Sequence, residues 1–327
     1  MSDALIPVTV VTGALGSGKT TLIGRVLRDP GFTRTAVIVN EFGDIPLDHD
    51  LIASADENLL TLATGCLCCT VQTDLARTML DLLARRQAGD VTYDRVLVET
   101  SGLSDPAPLM QALLGDPGIA ATHHPPFLVA VVDTVHGAST LADRPEARRQ
   151  VALADRLLLS KTDLHPCPET LLQTLEVLNR QAPLRMAAEA TAADLFGDPA
   201  PLALVVRLDA LTDPSGHADI DSFTLTRERP VPALALALLL QALAEHCGRK
   251  LLRLKGIVAI EEMPDQPAVI HGVRHVVSAP EFLAAWPSAD RSTRIVFIGS
   301  AIPRWFPARL LDAIEAEVRE AQAAIPP

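Results

Sequence analysis

The chain has 327 residues and a net charge of −12, with 28 basic and 40 acidic side chains. This length predicts about two domains, and a hydrophobic content of 48% excludes a chain that is mainly disordered. The negative charge argues against binding to nucleic-acid phosphates or an anionic membrane surface. Aromatic residues make up only 3% of the chain, which argues against base stacking. We therefore predict neither a nucleic-acid nor a membrane partner.

The apolar runs, the N-terminal residues and the cysteines indicate where in the cell the protein resides. The longest apolar run, residues 233–244, is interrupted by Gln241 and is shorter than the about 20 residues that span a bilayer. Residues 1–7 lack the basic segment of a secretory signal. Three of the five cysteines fall within four positions, a pattern of intracellular metal or redox chemistry rather than of a disulfide framework. We expect a soluble, cytoplasmic protein.

The first half of the chain alternates apolar strand-like runs with helical stretches. This alternation predicts an α/β fold with a mostly parallel sheet flanked by helices. The predicted strands are 7–12, 35–39, 58–62, 94–99, 127–133, 156–160 and 184–187. The predicted helices are 20–29, 74–86 and 171–179.

The second half has a different pattern. Residues 213–222 are small, polar and rich in turn formers, which indicates a linker. After it we predict a small α+β domain with strands at 222–226, 251–260, 268–277 and 294–299 and helices at 233–246 and 307–323. We place the first domain at residues 1–215 and the C-terminal domain at residues 220–327.

Residues 13–20 form a candidate phosphate loop between a predicted strand and a predicted helix. Their sequence, Gly-Ala-Leu-Gly-Ser-Gly-Lys-Thr, fits G-x-x-x-x-G-K-[ST]. In such a loop backbone N–H groups face the phosphates, Lys19 reaches the β and γ oxygens, and the Thr20 hydroxyl binds Mg²⁺. The predicted nucleotide contacts here are Gly13, Gly16, Ser17, Gly18, Lys19, Thr20 and Thr21.

An acidic residue at the end of a nearby strand is the expected partner of this loop. Glu99 ends the predicted strand 94–99 and is followed by Thr-Ser-Gly. We predict that Glu99 holds Mg²⁺ through a water and that the Gly102 N–H contacts the γ-phosphate. Lys19, Thr20 and Glu99 are therefore candidate catalytic residues, with Thr20 and Glu99 as the magnesium ligands.

A Lys-x-Asp motif follows the strand at 156–160. In guanine-specific proteins the aspartate accepts hydrogen bonds from N1–H and N2–H₂ of the base, while the lysine stem packs on the ring; adenine lacks that donor pair. Ser160, Lys161 and Asp163 are the predicted base contacts, with Ser160 in place of the usual Asn. Only four lysines occur in the chain, and Lys19 and Lys161 are two of them. We predict GTP rather than ATP.

Three cysteines lie between a predicted strand and a predicted helix. Cys66, Cys68 and Cys69 follow Gly65, and three thiolates on one short loop suit Zn²⁺ or Cu⁺ and are poor ligands for Mg²⁺. An incomplete ligand set is typical of a protein that must release its metal, since structural zinc normally has four ligands. A structural cysteine cluster or a redox pair are the alternatives.

Further ligands are available after the second strand. Glu41, Asp44, Asp48 and His49 could complete the metal site, position the attacking water or contact Mg²⁺; Glu41 is the candidate catalytic residue among them. His123 and His124 are auxiliary metal candidates in a proline-flanked loop, although we expect such a pair to be exposed to solvent. The isolated Cys167 and Cys247 are predicted to be structural.

The motifs GALGSGKT, VNEFGD, GCLCC, ETSGLSDP and SKTD, in this order, resemble the CobW/YjiA family of P-loop GTPases, which are metallochaperones. The similarity covers nearly the whole chain, including segments 251–256, 271–274 and 295–299 of the C-terminal domain. The resemblance implies slow, metal-stimulated GTP hydrolysis with Mg²⁺. It also implies Zn²⁺, or another divalent ion such as Co²⁺ or Ni²⁺, held on the cysteine motif, delivery to a client metalloprotein, and a nucleotide-dependent homodimer.

The chain departs from the family pattern in two places. Many members carry a His-rich stretch near the linker, where this chain has only His217, and Asp44 stands where Glu is common. Bulk metal storage is therefore not expected. The alternative function is a GTPase that assists assembly of a client or a biosynthesis such as that of cobalamin, with structural or redox-active cysteines.

Overall fold

The computed structural model describes residues 5–29, 32, 34–40, 60–63, 71–197 and 220–324. The chain divides into two structural units, a first unit Met1–Pro199 and a second unit Ala200–Pro327. The predicted domain boundary, between 215 and 220, falls on residues 198–219, outside the described residues, and stays a prediction.

The first unit contains a seven-stranded sheet in which every strand pair is parallel. Its strands are β1 (Val8–Thr12), β2 (Thr35–Asn40), β3 (Leu60–Ala63), β4 (Arg95–Thr100), β5 (Phe127–Asp133), β6 (Arg156–Ser160) and β7 (Leu184–Met186). The spatial order is β3-β2-β4-β1-β5-β6-β7. The predicted α/β class with a parallel sheet is confirmed.

Helices cover both faces of this sheet. In chain order they are α1 (Lys19–Val26), α2 (Val71–Ala88), α3 (Ala107–Gly115), α4 (Pro117–Ala120), α5 (Gly137–Asp143), α6 (Pro145–Leu153), α7 (Glu169–Asn179) and α8 (Ala192–Phe196). Successive strand residues point to opposite faces. Accordingly, Val129 and Val131 pack with α1 and α8, whereas Ala130 and Val132 pack with α5, α6 and α7. Burial on both faces explains why the central strands are apolar at nearly every position.

The second unit is built on an antiparallel sheet. Its strands are β8 (Asp221–Arg227), β9 (Leu251–Ile260), β10 (Met263–Val273), β11 (Val276–Val277), β12 (Glu281–Phe282) and β13 (Thr293–Gly299). The order is β11-β10-β9-β13-β8, and β12 also pairs with β10. Helices α9 (Ala233–Cys247) and α10 (Trp305–Ala323) share one apolar core with this sheet. The predicted α+β class of this domain is confirmed.

One predicted strand of the second unit was wrong in its extent. The sequence predicted a single strand at 268–277, but β10 ends at Val273 and β11 folds back to pair with Gly272 and Val273. Arg274 has a φ of +54°, which reverses the chain at this position. Within the described part of the chain, no helix is both long and apolar enough to cross a membrane.

Candidate nucleotide-binding site

The sheet topology brings four loops to one edge of the first unit. Strand β1 lies between β4 and β5, and parallel strands end at the same edge. The helices after β1 and after β5 lie on opposite faces, so the crevice between these strands is where ligands bind in open α/β sheets. The loops at this edge are the phosphate loop 13–20, residues 101–106 (the Gly102 loop), residues 134–136 and residues 160–165 (the base loop).

The phosphate loop closes tightly onto β5. Gly13 has a φ of +143°, and a Cβ built on it would lie 2.3 Å from the carbonyl oxygen of Val131. Only glycine fits there, because a side chain would collide with the neighbouring backbone. The loop leads into α1, whose N-cap is Gly18. A glycine cap offers no side chain to the first N–H groups of the helix, which therefore remain available to an anion.

Lys19 begins α1 and is held over the loop. Its side chain is buried, and its Nζ donates to the carbonyl oxygens of Gly13 at 2.9 Å and Ala14 at 3.2 Å. Ser17 is also buried, and its Oγ has no hydrogen-bond partner among the described residues. The Thr21 side chain, in contrast, is exposed. The loop thus gathers backbone N–H groups, an amine and a hydroxyl, the donor set that suits phosphate oxygens.

Thr20 and Glu99 meet at the same edge of the sheet, where β4 lies beside β1. The Thr20 Oγ1 donates to Glu99 Oε1 at 2.8 Å. Glu99 is 4% exposed and lies in register with Val11 of β1 and Val39 of β2. A hydroxyl and a carboxylate in contact are hard oxygen ligands, which Mg²⁺ prefers. These two residues fit the predicted magnesium site.

The Gly102 loop touches the phosphate loop directly. A Cβ built on Gly102 would lie 2.5 Å from the backbone nitrogen of Leu15, so the two loops approach each other as closely as backbones can. The side chain of Gln150 on α6 donates from Nε2 to the carbonyl oxygens of Ser104 at 3.0 Å and Gly102 at 3.5 Å. The sequence did not single out Gln150.

The base loop is tied to the phosphate loop through Ser160. Its Oγ donates to the Ser17 carbonyl oxygen at 2.5 Å, so the hydroxyl that replaces the usual Asn still joins the two loops. Lys161 has a φ of +57°, and its Nζ lies 3.6 Å from Asp133 Oδ2. Asp163 lies in the turn that follows and is exposed.

Thr134, at the end of β5, supports the base loop. Its Oγ1 contacts the carbonyl oxygens of Lys161 at 2.9 Å and His165 at 2.8 Å. Sequence reasoning missed both Asp133 and Thr134. A signal was available, because polar residues that end a buried strand beside a ligand-binding strand lie at the same edge of the sheet.

The predicted transition-metal site lies outside the described residues. This holds for the cysteines Cys66, Cys68 and Cys69 and for the further candidates Glu41, Asp44, Asp48 and His49. His217, the one histidine near the predicted linker, also lies outside the described residues. Within the described ranges, His, Cys, Asp and Glu side chains do not gather in groups of three or more that could hold a metal ion.

The histidine pair 123–124 differs from its predicted exposure. His124 is exposed, but His123 is 2% exposed, and its Nδ1 lies 2.9 Å from Thr122 Oγ1. Burial, together with the positive charge of Arg86, lowers the pKa of His123 to about 4. The expectation of two solvent-exposed imidazoles was wrong for His123, because the chain pairs here with Ile6 in a parallel bridge. Cys247 is buried and Cys167 half-buried, and burial raises the pKa of both thiols.

The site has the features of a P-loop nucleotide-binding protein: strand β1, the glycine-rich loop, the lysine at the start of α1 and the Thr20–Glu99 contact. Comparison with known proteins identifies the family. Residues 7–186 match the CobW/HypB/UreG nucleotide-binding domain, and residues 220–316 match the cobalamin synthesis protein CobW C-terminal domain. The chain belongs to the CobW family, as its motifs indicated.

Individual relatives agree with this assignment. The chain is 31% identical to a zinc chaperone, YjiA, of Escherichia coli over 91% of this chain and 95% of the relative. It is 34% identical to the zinc chaperone CobW of Pseudomonas aeruginosa over 91% and 88% of the two chains. Among solved structures it is similar to Zn(II)-bound YjiA GTPase from E. coli, with a TM-score of 0.69 and 26% identity over 95% of this chain and 99% of that one.

Proposed function

We propose that this protein binds and hydrolyses GTP and uses the nucleotide to control a Zn²⁺ ion that it delivers to a client protein. One observation carries the nucleotide part: Lys19, the Thr20–Glu99 contact and the Ser160–Ser17 contact converge at one sheet edge. The zinc part is supported by full-length relatives named zinc chaperones and by the cysteine motif of the sequence.

The residues of the phosphate side have distinct roles in this proposal. The N–H groups at the start of α1 and the Lys19 amine bind the β- and γ-phosphates. Thr20 and Glu99 hold Mg²⁺, which when bound neutralises charge on the phosphate oxygens. The Gly102 N–H faces the γ-phosphate beside Leu15. Lys19 then stabilises the negative charge that develops on the transferred group.

The base loop supplies the preference for guanine. The stem of Lys161 packs on the ring, with its amine near Asp133. Asp163 accepts hydrogen bonds from N1–H and N2–H₂ of the base. Adenine presents no such pair of donors and would leave the carboxylate without partners. Glu41 positions the attacking water, and hydrolysis is slow and stimulated by the metal.

Zn²⁺ is the cargo in this proposal, held by Cys66, Cys68 and Cys69; Co²⁺ or Ni²⁺ suits the same ligands less well than Zn²⁺. Glu41, Asp44, Asp48 and His49 lie between the phosphate loop and the cysteines in sequence. GTP binding changes which of these residues contribute to the metal ligand set. Linkage then requires that zinc and nucleotide affect each other's affinity by the same factor.

The decisive measurement is zinc affinity by competition with a chromophoric chelator. It is made once with Mg²⁺ and a non-hydrolysable GTP analogue and once with Mg²⁺ and GDP. We expect affinities that differ by about tenfold or more, which corresponds to about 1.4 kcal/mol of coupling. Equal affinities in the two nucleotide states would contradict nucleotide control of the metal.

A cysteine variant separates the proposal from its alternative. Replacing Cys66, Cys68 and Cys69 together with Ser should remove one bound Zn²⁺ per chain, measured under reducing conditions. Cys167→Ser is the control, because that thiol is isolated and half-buried. An unchanged zinc content in the triple variant would favour structural or redox-active cysteines and an accessory role in assembly or cobalamin biosynthesis.

The nucleotide edge also carries apolar side chains suited to a protein partner. Leu15 and Leu164 are each 70% exposed, Leu103 is 50% exposed and Val135 is 42% exposed. Exposed apolar groups around a ligand site are typical of interaction surfaces. We assign this surface to a homodimer that forms in the GTP state. Light scattering should show a dimer with the analogue and a monomer with GDP, and Leu15→Ser with Leu164→Ser should abolish the difference.

We place this activity in the cytoplasm, where GTP is abundant and thiols stay reduced. The client is a metalloprotein that receives Zn²⁺ from the cysteine motif.

A further inference from the structure

Helix α6 holds the Gly102 loop by two consecutive side chains. Gln150 is 1% exposed and donates from Nε2 to the carbonyl oxygens of Ser104 at 3.0 Å and Gly102 at 3.5 Å. Arg149 places its Nη1 3.5 Å from Asp105 Oδ2. The helix therefore contacts three residues of the Gly102 loop, Gly102, Ser104 and Asp105, from a segment more than forty residues further along the chain.

The Gly102 loop is shaped locally but positioned by that helix. Its own hydrogen bonds form a short turn in which the Ser104 N–H and Oγ both donate to the Ser101 carbonyl oxygen, at 3.2 and 2.8 Å. These bonds fix the shape of the turn, not its distance from the phosphate loop. The Gln150 amide joins the turn to α6, and it does so in a buried position where water does not replace a lost donor.

The same glutamine borders the back of the phosphate loop. It lines a small cavity of about 20 Å³ together with Gly13, Ser17 and Asp133. Gln150 thus lies between the phosphate loop on one side and the Gly102 loop on the other. A shift of its amide changes how closely the Gly102 N–H approaches the phosphate oxygens, and an N–H···O bond weakens beyond about 3.2 Å.

We propose that Gln150 is a positioning residue that sets the Gly102 N–H against the γ-phosphate and so makes the site prefer GTP over GDP. This inference rests on the proposed GTP-binding function. GDP has no γ-phosphate, so its binding does not depend on the position of this loop. The effect of Gln150 is therefore selective for the triphosphate.

The test compares the full chain with Gln150→Met, which keeps the volume of the side chain and removes its donor. The affinities for a fluorescent non-hydrolysable GTP analogue and for fluorescent GDP are measured with Mg²⁺. We expect the analogue affinity to fall about tenfold, as for a buried carbonyl that loses its donor, with GDP affinity within about twofold of wild type. The kcat/KM for GTP should fall by the same factor as the analogue affinity.

Two further variants complete the design. Gln173→Met is the matched control, because Gln173 lies exposed on α7 and its Nε2 contacts only Glu169 at 3.5 Å among the described hydrogen bonds; it should leave both affinities unchanged. Gln150→Asn keeps the amide but shortens the side chain by one methylene. If the Met variant unfolds, this variant allows the same comparison of analogue and GDP affinities. If the Gln150 variants lose affinity for the analogue and for GDP by the same factor, or lose affinity for neither, the proposed role of Gln150 is overturned. Wild-type protein that binds neither nucleotide would instead overturn the proposed function.

Discussion

The two units differ in where they bury polar side chains. In the first unit Lys19, Glu99, Asp133, Gln150 and Ser160 are all buried at the carboxyl edge of the parallel sheet. The core of the second unit is apolar, built from α9, α10 and one face of the antiparallel sheet. Burying a polar group destabilises a protein unless it has a partner. Each of these five side chains has a polar partner, so a substitution at this edge leaves a buried group without its contact. In the second unit the buried polar side chains among the described residues are Arg253, Thr293 and Arg294.

This contrast predicts different consequences of substitution. Changes at the polar edge of the first unit should alter nucleotide chemistry, and changes in the core of the second unit should alter stability alone.

The largest effect is expected for Lys19→Ala. It removes the amine that stabilises charge on the phosphate oxygens, so kcat/KM for GTP hydrolysis should fall by about 10²- to 10³-fold, measured by phosphate release. Lys250→Ala, an exposed lysine of the second unit, is the control. If the kcat/KM of Lys19→Ala stays within tenfold of wild type, the proposed role of the Lys19 amine in GTP hydrolysis is contradicted.

Leu239→Ala should separate stability from binding in the second unit. Leu239 is fully buried in α9, and such truncations destabilise by about 2–5 kcal/mol. Chemical denaturation followed by circular dichroism should show an earlier transition, with nucleotide affinity unchanged. The neighbouring Leu238 is 40% exposed, so Leu238→Ala should have a much smaller effect. A loss of nucleotide affinity in Leu239→Ala would contradict the division of roles.

The buried His123 makes the stability of the first unit depend on pH. Its pKa is lowered from 6.5 to about 4 in the folded state, so between these values the unfolded chain binds more protons. The free energy of unfolding should be highest above pH 6.5 and decrease as pH falls to about 4, by up to about 3 kcal/mol. Urea melts across this range would measure it.

Two variants check the origin of this pH dependence. His123→Leu should flatten the profile between pH 4 and 6.5, because the unfolded chain then has no imidazole to protonate at this position. His124→Gln should keep the profile, because that side chain is exposed. An unchanged profile in His123→Leu would assign the pH dependence to other groups.

The smallest effect is expected for Ser160→Ala. It removes the hydrogen bond from Ser160 Oγ to the Ser17 carbonyl oxygen, and such a bond contributes about 1 kcal/mol. Affinities for GTP and GDP should both weaken about fivefold, since the link joins the base and phosphate loops and does not involve the γ-phosphate. Ser139→Ala, on an exposed turn of α5, serves as the control. Loss of GTP affinity alone would contradict this role.

Much of the first unit could be predicted from sequence. All seven predicted strands are present, because strands buried on both faces are continuous apolar runs. Helices α3, α4 and α8 were not predicted, and neither were α5 and α6. Helices α5 and α6 carry short, mixed runs such as Pro145–Leu153, in which arginines and a buried glutamine interrupt the apolar period. Their packing against β5 and α7, not their own pattern, stabilises them.

The candidate site also has a part that could be predicted from the sequence and a part that could not. The phosphate loop is contiguous in sequence, so its residue types and spacing alone predicted strand, loop, lysine and hydroxyl. The supporting contacts of Asp133, Thr134 and Gln150 join segments far apart in the chain. For Asp133 and Thr134 the sequence shows only that polar residues end a buried strand, and for Gln150 it shows no signal. In none of the three cases does a single sequence indicate the partner of the contact.

The sequence by itself determined the fold class, the nucleotide chemistry and the family, because these depend on local patterns: apolar runs, a glycine-rich loop and short motifs at strand ends. Only the tertiary structure decided that His123 is buried, that Ser160 joins two loops and that Gln150 reaches Gly102. The physical reason is that burial and hydrogen bonding depend on which segments the sheet order brings together. Parallel strands pair through long crossovers that no local pattern specifies.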